Sequence, residues 1–169
     1  MLIDATEDTI TSPILGVKVK PLVSHRDQRG FFREILRVSD PIFSEDGEYD
    51  GGASSGSGQN FGQWSHSLMT RDVVKAWHYH HRQTDWWYIS EGLVKFALYD
   101  NREESPTFQK LWWGYLGEDS AFSEAPTNAE DSTPRLGFAC LKIPPGVLHG
   151  ARVLSQSAHL FYITSHIYD

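Results

Sequence analysis

The sequence predicts an all-β protein, an antiparallel sandwich or jelly roll, on three observations. Short β-prone runs recur with turn-forming residues between them, and no run has the length and period of a helix. Aromatic residues are also abundant, with nine Phe, seven Tyr and six Trp in 169 residues. Such flat, bulky side chains fill sandwich interiors and line sugar or base sites. A chain of this length is expected to form one domain, spanning 1–169, that buries roughly two-thirds of its unfolded surface.

The strand-like runs are 17–23, 31–38, 63–69, 73–79, 86–89, 93–99, 108–113, 136–143, 148–154 and 158–164. Breakers separate them, as in Gln28-Arg29-Gly30, Glu91-Gly92, residues 101–106 and Pro144-Pro145-Gly146. Two stretches interrupt the rhythm: 44–60, SEDGEYDGGASSGSGQN, and 115–135, YLGEDSAFSEAPTNAEDSTPR. Both are too poor in apolar residues to offset the entropy of ordering, although Tyr115 and Phe122 offer anchors to the second. They are expected to be flexible insertions, either lids over a site or tolerated surface loops.

The net charge of −7, without a Lys/Arg cluster, argues against a nucleic-acid backbone as partner, and none is expected. A phosphorylated small molecule needs only a few cations and stays open. Cys140 is the single cysteine, so no intramolecular disulfide can form, and a reducing compartment, the cytoplasm, is expected. The opening MLIDATEDTI lacks the basic and apolar segments of a signal peptide, and no apolar run approaches about 18 residues. No membrane partner is expected.

The most informative stretch is 77–92, WHYHHRQTDWWYISEG, which reads H-x-H-x4-D-x6-G through His78, His80, Asp85 and Gly92. Strand alternation sends His78 and His80 to one face and Lys75, Trp77 and Tyr79 to the other. Downstream, PPGVLH at 144–149 supplies P-x-G-x2-H, ending in His149. Three imidazoles and a carboxylate form an N3O set suited to Zn, Fe, Mn, Ni or Cu. The alternative is a polar barrel mouth in which these side chains bond to backbone or water.

A second chemistry uses the same face without metal. A histidine and a tyrosine on opposite sides of a barrel mouth can remove a proton next to a carbonyl and return one from the other side. Tyr162, in HLFYIT, is the candidate acid, against the alternative of an ordinary buried tyrosine. Arg26, Arg29, Arg33 and Arg37 suit either a phosphate or a solvated strand edge.

The two-part frame resembles the cupin superfamily, and with it the antiparallel double-stranded jelly roll, or cupin barrel. More closely, the chain resembles the dTDP-4-dehydrorhamnose 3,5-epimerase family over about residues 16–168. DQRGFFRE at 27–34 is similar to the family's D-x-R-G-x-F-x-E, and VVKAWHYH at 73–80 to its V-L-R-G-L-H-Y-Q. YDNREESPTF at 99–108 looks like D-x-R-x-x-S-P-T-F, and IPPGVLHGARVLS followed by LFYITSHIY looks like the closing hairpin.

The resemblance implies epimerisation, or a related enolising isomerisation, of a dTDP-4-keto-6-deoxysugar without any required cofactor. It implies His78 as general base and Tyr162 as general acid, with Arg29, Glu34, Gln63, Lys75 and Tyr168 binding the sugar nucleotide. It further implies a homodimer that exchanges an N-terminal strand, bringing Arg29 and Glu34 to the partner's site. Lys75 falls on a phosphate-binding position of the family, which alternation contradicts unless a bulge intervenes.

Two positions depart from the family: His80 replaces a Gln, and Asp85 replaces a Lys that stabilises the enolate oxygen. A divalent metal on His78, His80, Asp85 and His149 would restore positive charge there. Such a metal would occupy His78, so that residue would be ligand or base but not both. The alternatives are a metal-dependent cupin enzyme for another small molecule and a sugar-nucleotide binding protein without catalysis.

Overall fold

The structure is a computed structural model that describes residues 10–37, 39–43, 61–118 and 133–167. The described residues contain no helix and form twelve strands. These are β1 (Ile10–Thr11), β2 (Lys18–Pro21), β3 (Ser24–Asp27), β4 (Gly30–Arg33), β5 (Gln63–Thr70) and β6 (Val74–His78). The rest are β7 (Asp85–Glu91), β8 (Leu93–Asp100), β9 (Leu111–Gly117), β10 (Ala139–Ile143), β11 (Val147–Val153) and β12 (Ser157–Thr164).

A six-stranded sheet runs β1-β2-β10-β7-β12-β5, a four-stranded sheet runs β6-β11-β8-β9, and β3-β4 forms a separate hairpin. Every strand-to-strand ladder is antiparallel. The expected all-β jelly roll is the observed architecture. No helix of the described residues is long and apolar enough to cross a membrane.

Alternation builds the interior. On β8, Val94, Phe96 and Leu98 are fully buried, and they share one core cluster with Val153 of the neighbouring β11 and with Val19, Ile89, Leu141 and Ile143 of the six-stranded sheet. Each such side chain contributes about 1.5–3 kcal/mol relative to exposure. The adjacent Trp86 and Trp87 show why β7 lies at the centre of its sheet. Trp87 faces the interior, whereas Trp86 faces outward beneath Ile42 and Phe43 and donates its indole N–H to the Ile42 carbonyl at 2.9 Å. Cys140 shares that outer cluster, and burial pushes its thiol up to about 12, leaving it unreactive.

A buried ionic cluster closes one end of the barrel. Asp100, 0% exposed, accepts hydrogen bonds from Arg102 Nε at 2.7 Å and Nη2 at 2.8 Å, Ser105 Oγ at 2.7 Å and Thr107 Oγ1 at 2.6 Å. Burial alone would raise its pKa, but the Arg102, Thr107 and Ser105 hydrogen bonds outweigh it and bring the value from 3.8 to about 2. Arg102 Nη2 also donates to the Leu15 carbonyl at 2.7 Å, and the Leu15 N–H donates to Thr107 Oγ1 at 3.0 Å. The cluster therefore ties residues 100–107 to the segment preceding β2.

Each expected run overlaps a strand, with three corrections. β1 and β3 were not expected; β3 reads SHRD, lacks an apolar residue and is held by its ladder to β4. The 31–38 run is strand only through Arg33, after which Ile35 and Leu36 pack beside Trp86. The 108–113 run begins at Leu111, because residues 105–110 turn back onto Asp100, whose carbonyl accepts from the Gln109 N–H.

The proposed insertion 115–135 is too wide. Tyr115 and Leu116 are buried in β9, and Tyr115 bridges Arg135. Phe122, the rest of 119–132 and the whole of 44–60 lie outside the described residues.

Candidate active site

A cavity of about 430 Å³ opens between the two sheets. The four-stranded sheet contributes Lys75 and His78 from β6 and His149 from β11, while β5, β7 and β12 contribute Gln63, Asp85, Trp87 and Tyr162 from across the gap. His80 and Gln83 enter from the connection between β6 and β7. His78 and Tyr162 thus face one space from opposite sheets.

Lys75 and His78 both line the cavity, although they are an odd number of residues apart. Along the β6–β11 ladder Lys75 pairs with Ala151 and His78 with His149, leaving Ala76 and Trp77 opposite Gly150 alone. This β-bulge shifts the alternation by one residue. It corrects the expectation that Lys75 points away from His78. A Cβ on Gly150 would run into the Ala76 Cβ and lie 2.9 Å from the Lys75 carbonyl oxygen.

Gly150→Ala is therefore expected to lower stability by about 1–3 kcal/mol and to displace Lys75 from the cavity wall. Urea midpoints measure the loss; an unchanged midpoint would mean that the bulge does not depend on Gly150. Gly92, which closes the first motif, has φ of 83° and no room for a Cβ against the Ser157 carbonyl.

Three of the four expected metal ligands converge. Ligand atoms of His80, Asp85 and His149 all lie within 4.8 Å of one another. Asp85 Oδ2 is 3.6 Å from His149 Nε2, and Oδ1 is 4.0 Å from His80 Nε2. His78 is not in this group: its backbone pairs directly with that of His149, and their rings stack with centroids 5.9 Å apart. The expected four-residue set is corrected to three, with His78 at the exposed rim.

The deep residues are fixed by second partners. His149 Nδ1 lies 3.0 Å from the Val147 carbonyl, and the ring meets Trp87 edge-on at 5.3 Å. Burial pushes the His149 pKa down, opposed by the Asp85 carboxylate and the Val147 carbonyl. Gln83 Nε2 donates to Asp85 Oδ1 at 2.7 Å, and the Trp87 indole N–H lies 3.3 Å from Oδ2.

Lys75 Nζ donates to Ser67 Oγ at 2.8 Å across the gap between sheets, and Gln63 Nε2 donates to Ser65 Oγ at 2.6 Å. Sequence reasoning missed Ser67, Gln83 and Trp87. Their signal was two-residue spacing: Ser67 shares a strand face with Gln63, while Gln83 and Trp87 flank Asp85.

Arg29 and Glu34 do not line the cavity of their own chain. Arg29 sits at the tip of the β3–β4 hairpin, 84% exposed and paired with Asp27 at 2.6 Å. Glu34 pairs with Arg37 at 2.5 Å and lies 3.9 Å from Lys20. Arg33 packs 3.4 Å over Phe138 and donates to Tyr88 Oη at 2.8 Å, while Arg26 lies 5.5 Å over Phe31. Tyr168 lies outside the described residues.

The family model described as dTDP-4-dehydrorhamnose 3,5-epimerase matches residues 11–122. The spore coat polysaccharide biosynthesis protein SpsL of Bacillus subtilis (strain 168) is 36% identical over 155 residues, covering 91% of this chain and 82% of that protein. The crystal structure of a dTDP sugar isomerase from Desulfovibrio desulfuricans G20 matches with a TM-score of 0.71 and 25% identity, covering 95% of this chain and 83% of that one. RmlC from Legionella pneumophila, a dTDP-6-deoxy-D-glucose-3,5-epimerase solved with dTDP-4-keto-L-rhamnose, shares the fold at a TM-score of 0.71 and 22% identity, covering 96% and 73%.

Proposed function

The chain belongs to the dTDP-4-dehydrorhamnose 3,5-epimerase family, and we propose on that basis that it epimerises a dTDP-4-keto-6-deoxysugar. The observation that carries this reading is the placement of His78 and Tyr162 across one cavity, on opposite sheets. A base and an acid on opposite faces of a sugar ring are what inversion at carbon requires. His78 takes the proton from a carbon next to the ketone; the C–H electron pair forms a C=C bond, and the carbonyl electrons move onto oxygen. Collapse of that enolate with a proton from Tyr162 on the other face inverts the centre.

Lys75, fixed by Ser67, supplies a cation for the pyrophosphate, and Gln63 a polar contact for nucleotide or sugar. No cofactor is required for these steps. Family membership favours this reading over a metal-dependent enzyme for another small molecule and over a binder without catalysis. Incubation of a dTDP-4-keto-6-deoxysugar with the protein in D2O tests it. Deuterium is expected at C3, C5 or both, and protons left in place at both carbons would end the reading.

The active form in this proposal is a homodimer that exchanges an N-terminal strand, bringing Arg29 and Glu34 to the partner's cavity. The hairpin exposes Phe31 and Phe32, and the edge strand β5 exposes Trp64 and Leu68. Exposed apolar side chains on both elements support an interface there. Light scattering is expected to give the mass of two chains, and a single-chain mass at assay concentration would remove the proposal. A cytoplasmic location accords with the lone buried thiol of Cys140 and is checked by cell fractionation.

A further inference from the structure

We propose that His80, Asp85 and His149 form a binding site for one divalent first-row transition-metal ion, with His78 left outside it. Two imidazoles and one carboxylate are a donor set such ions accept, and three protein ligands leave positions open for a substrate oxygen. The site itself stands independently of the epimerase reading.

The spacing of the three side chains is the first argument. At 3.6 Å and 4.0 Å, the contacts of Asp85 with His149 and His80 are too long for hydrogen bonds. Ligands held at about 2.0–2.2 Å from one ion sit roughly 3–4 Å from each other, so small side-chain adjustments bring all three onto a shared cation.

Tautomerism is the second. The Val147 carbonyl can only accept, so His149 Nδ1, 3.0 Å away, carries the proton. The other ring nitrogen, Nε2, faces the Asp85 carboxylate at 3.6 Å, in a ring that is 3% exposed. A cation seated between Nε2 and the carboxylate would take both as ligands. Asp85 is oriented by Gln83 and Trp87, and His149 by Val147, which are the outer partners a metal site uses to aim its ligands.

The arrangement also removes the conflict between ligand and base. With the ion on His80, Asp85 and His149, His78 keeps its lone pair for proton abstraction. An ion there would act as a Lewis acid on the ketone oxygen as charge develops; this role, unlike the site, rests on the epimerase reading.

The test uses the full chain purified without added metal or chelator. Elemental analysis is expected to find about one equivalent of a divalent metal, and Co2+ added to chelator-treated protein should give a visible d–d band saturating at about one equivalent. Asp85→Asn, with His80→Gln as a second and less buried variant, should weaken Co2+ binding by at least about tenfold, while His78→Asn should retain it.

Less than about a tenth of an equivalent together with no Co2+ band would overturn the site, as would Asp85→Asn and His80→Gln variants that bind like the parent. Equal loss in His78→Asn would overturn the three-residue assignment. Deuterium uptake without bound metal sinks this inference and leaves the epimerase reading. Bound metal without deuterium uptake does the reverse.

Discussion

His78→Asn is expected to lower the rate of deuterium incorporation into a dTDP-4-keto-6-deoxysugar by about 10²–10⁴-fold, the range that one general base supplies. The same change should leave stability within about 0.5 kcal/mol, because His78 sits exposed at the cavity rim. That separation makes the measurement decisive, since a rate loss without a shift in the urea midpoint cannot be charged to unfolding. A variant that exchanges deuterium at the parental rate would remove His78 as the base. The candidate would then have to come from His80 or His149, which are less accessible.

Asp100→Ala is expected to cost about 3–5 kcal/mol, because it leaves the buried Arg102 guanidinium without its carboxylate. It also removes the acceptor of Ser105 and Thr107, and so loosens the hold of residues 100–107 on Leu15. Urea denaturation measures the loss, and a cost below about 1 kcal/mol would mean that the cluster adds little. The native pKa of about 2 lies below the ordinary 3.8, so the ionised group's contribution is present above the ordinary value and fades as pH falls through about 2. Such a shift corresponds to about 2 kcal/mol, and the Ala variant should lack this acid-dependent share.

The strands that build the barrel were legible in the sequence because two-residue alternation survives wherever one face is buried, as on β8 with Val94, Phe96 and Leu98. β3 was not legible, because SHRD has no buried face and gains its structure only from pairing with β4. Within the site, His80, Asp85 and His149 were legible as motif residues, and the structure brings them together. Lys75 was misplaced by alternation, because the bulge opposite Gly150 is a property of two strands paired and cannot be read from β6 alone. The same limit applies to His78. Its spacing from His80 suggested a common ligand role, but its pairing with His149 places its ring alongside that histidine instead.

The order of strands in the six-stranded sheet has a consequence for how the chain folds. β2 pairs with β10, more than a hundred residues later, and β12, the last of the described strands in chain order, lies between β7 and β5. Loop closure over such distances must precede any gain from pairing, which sets this topology at the slow end for single domains. During synthesis β5 and β7 must wait for the strand that joins them, with their edges open to other chains. The sheet that carries Tyr162 can therefore close only once β12 has been made.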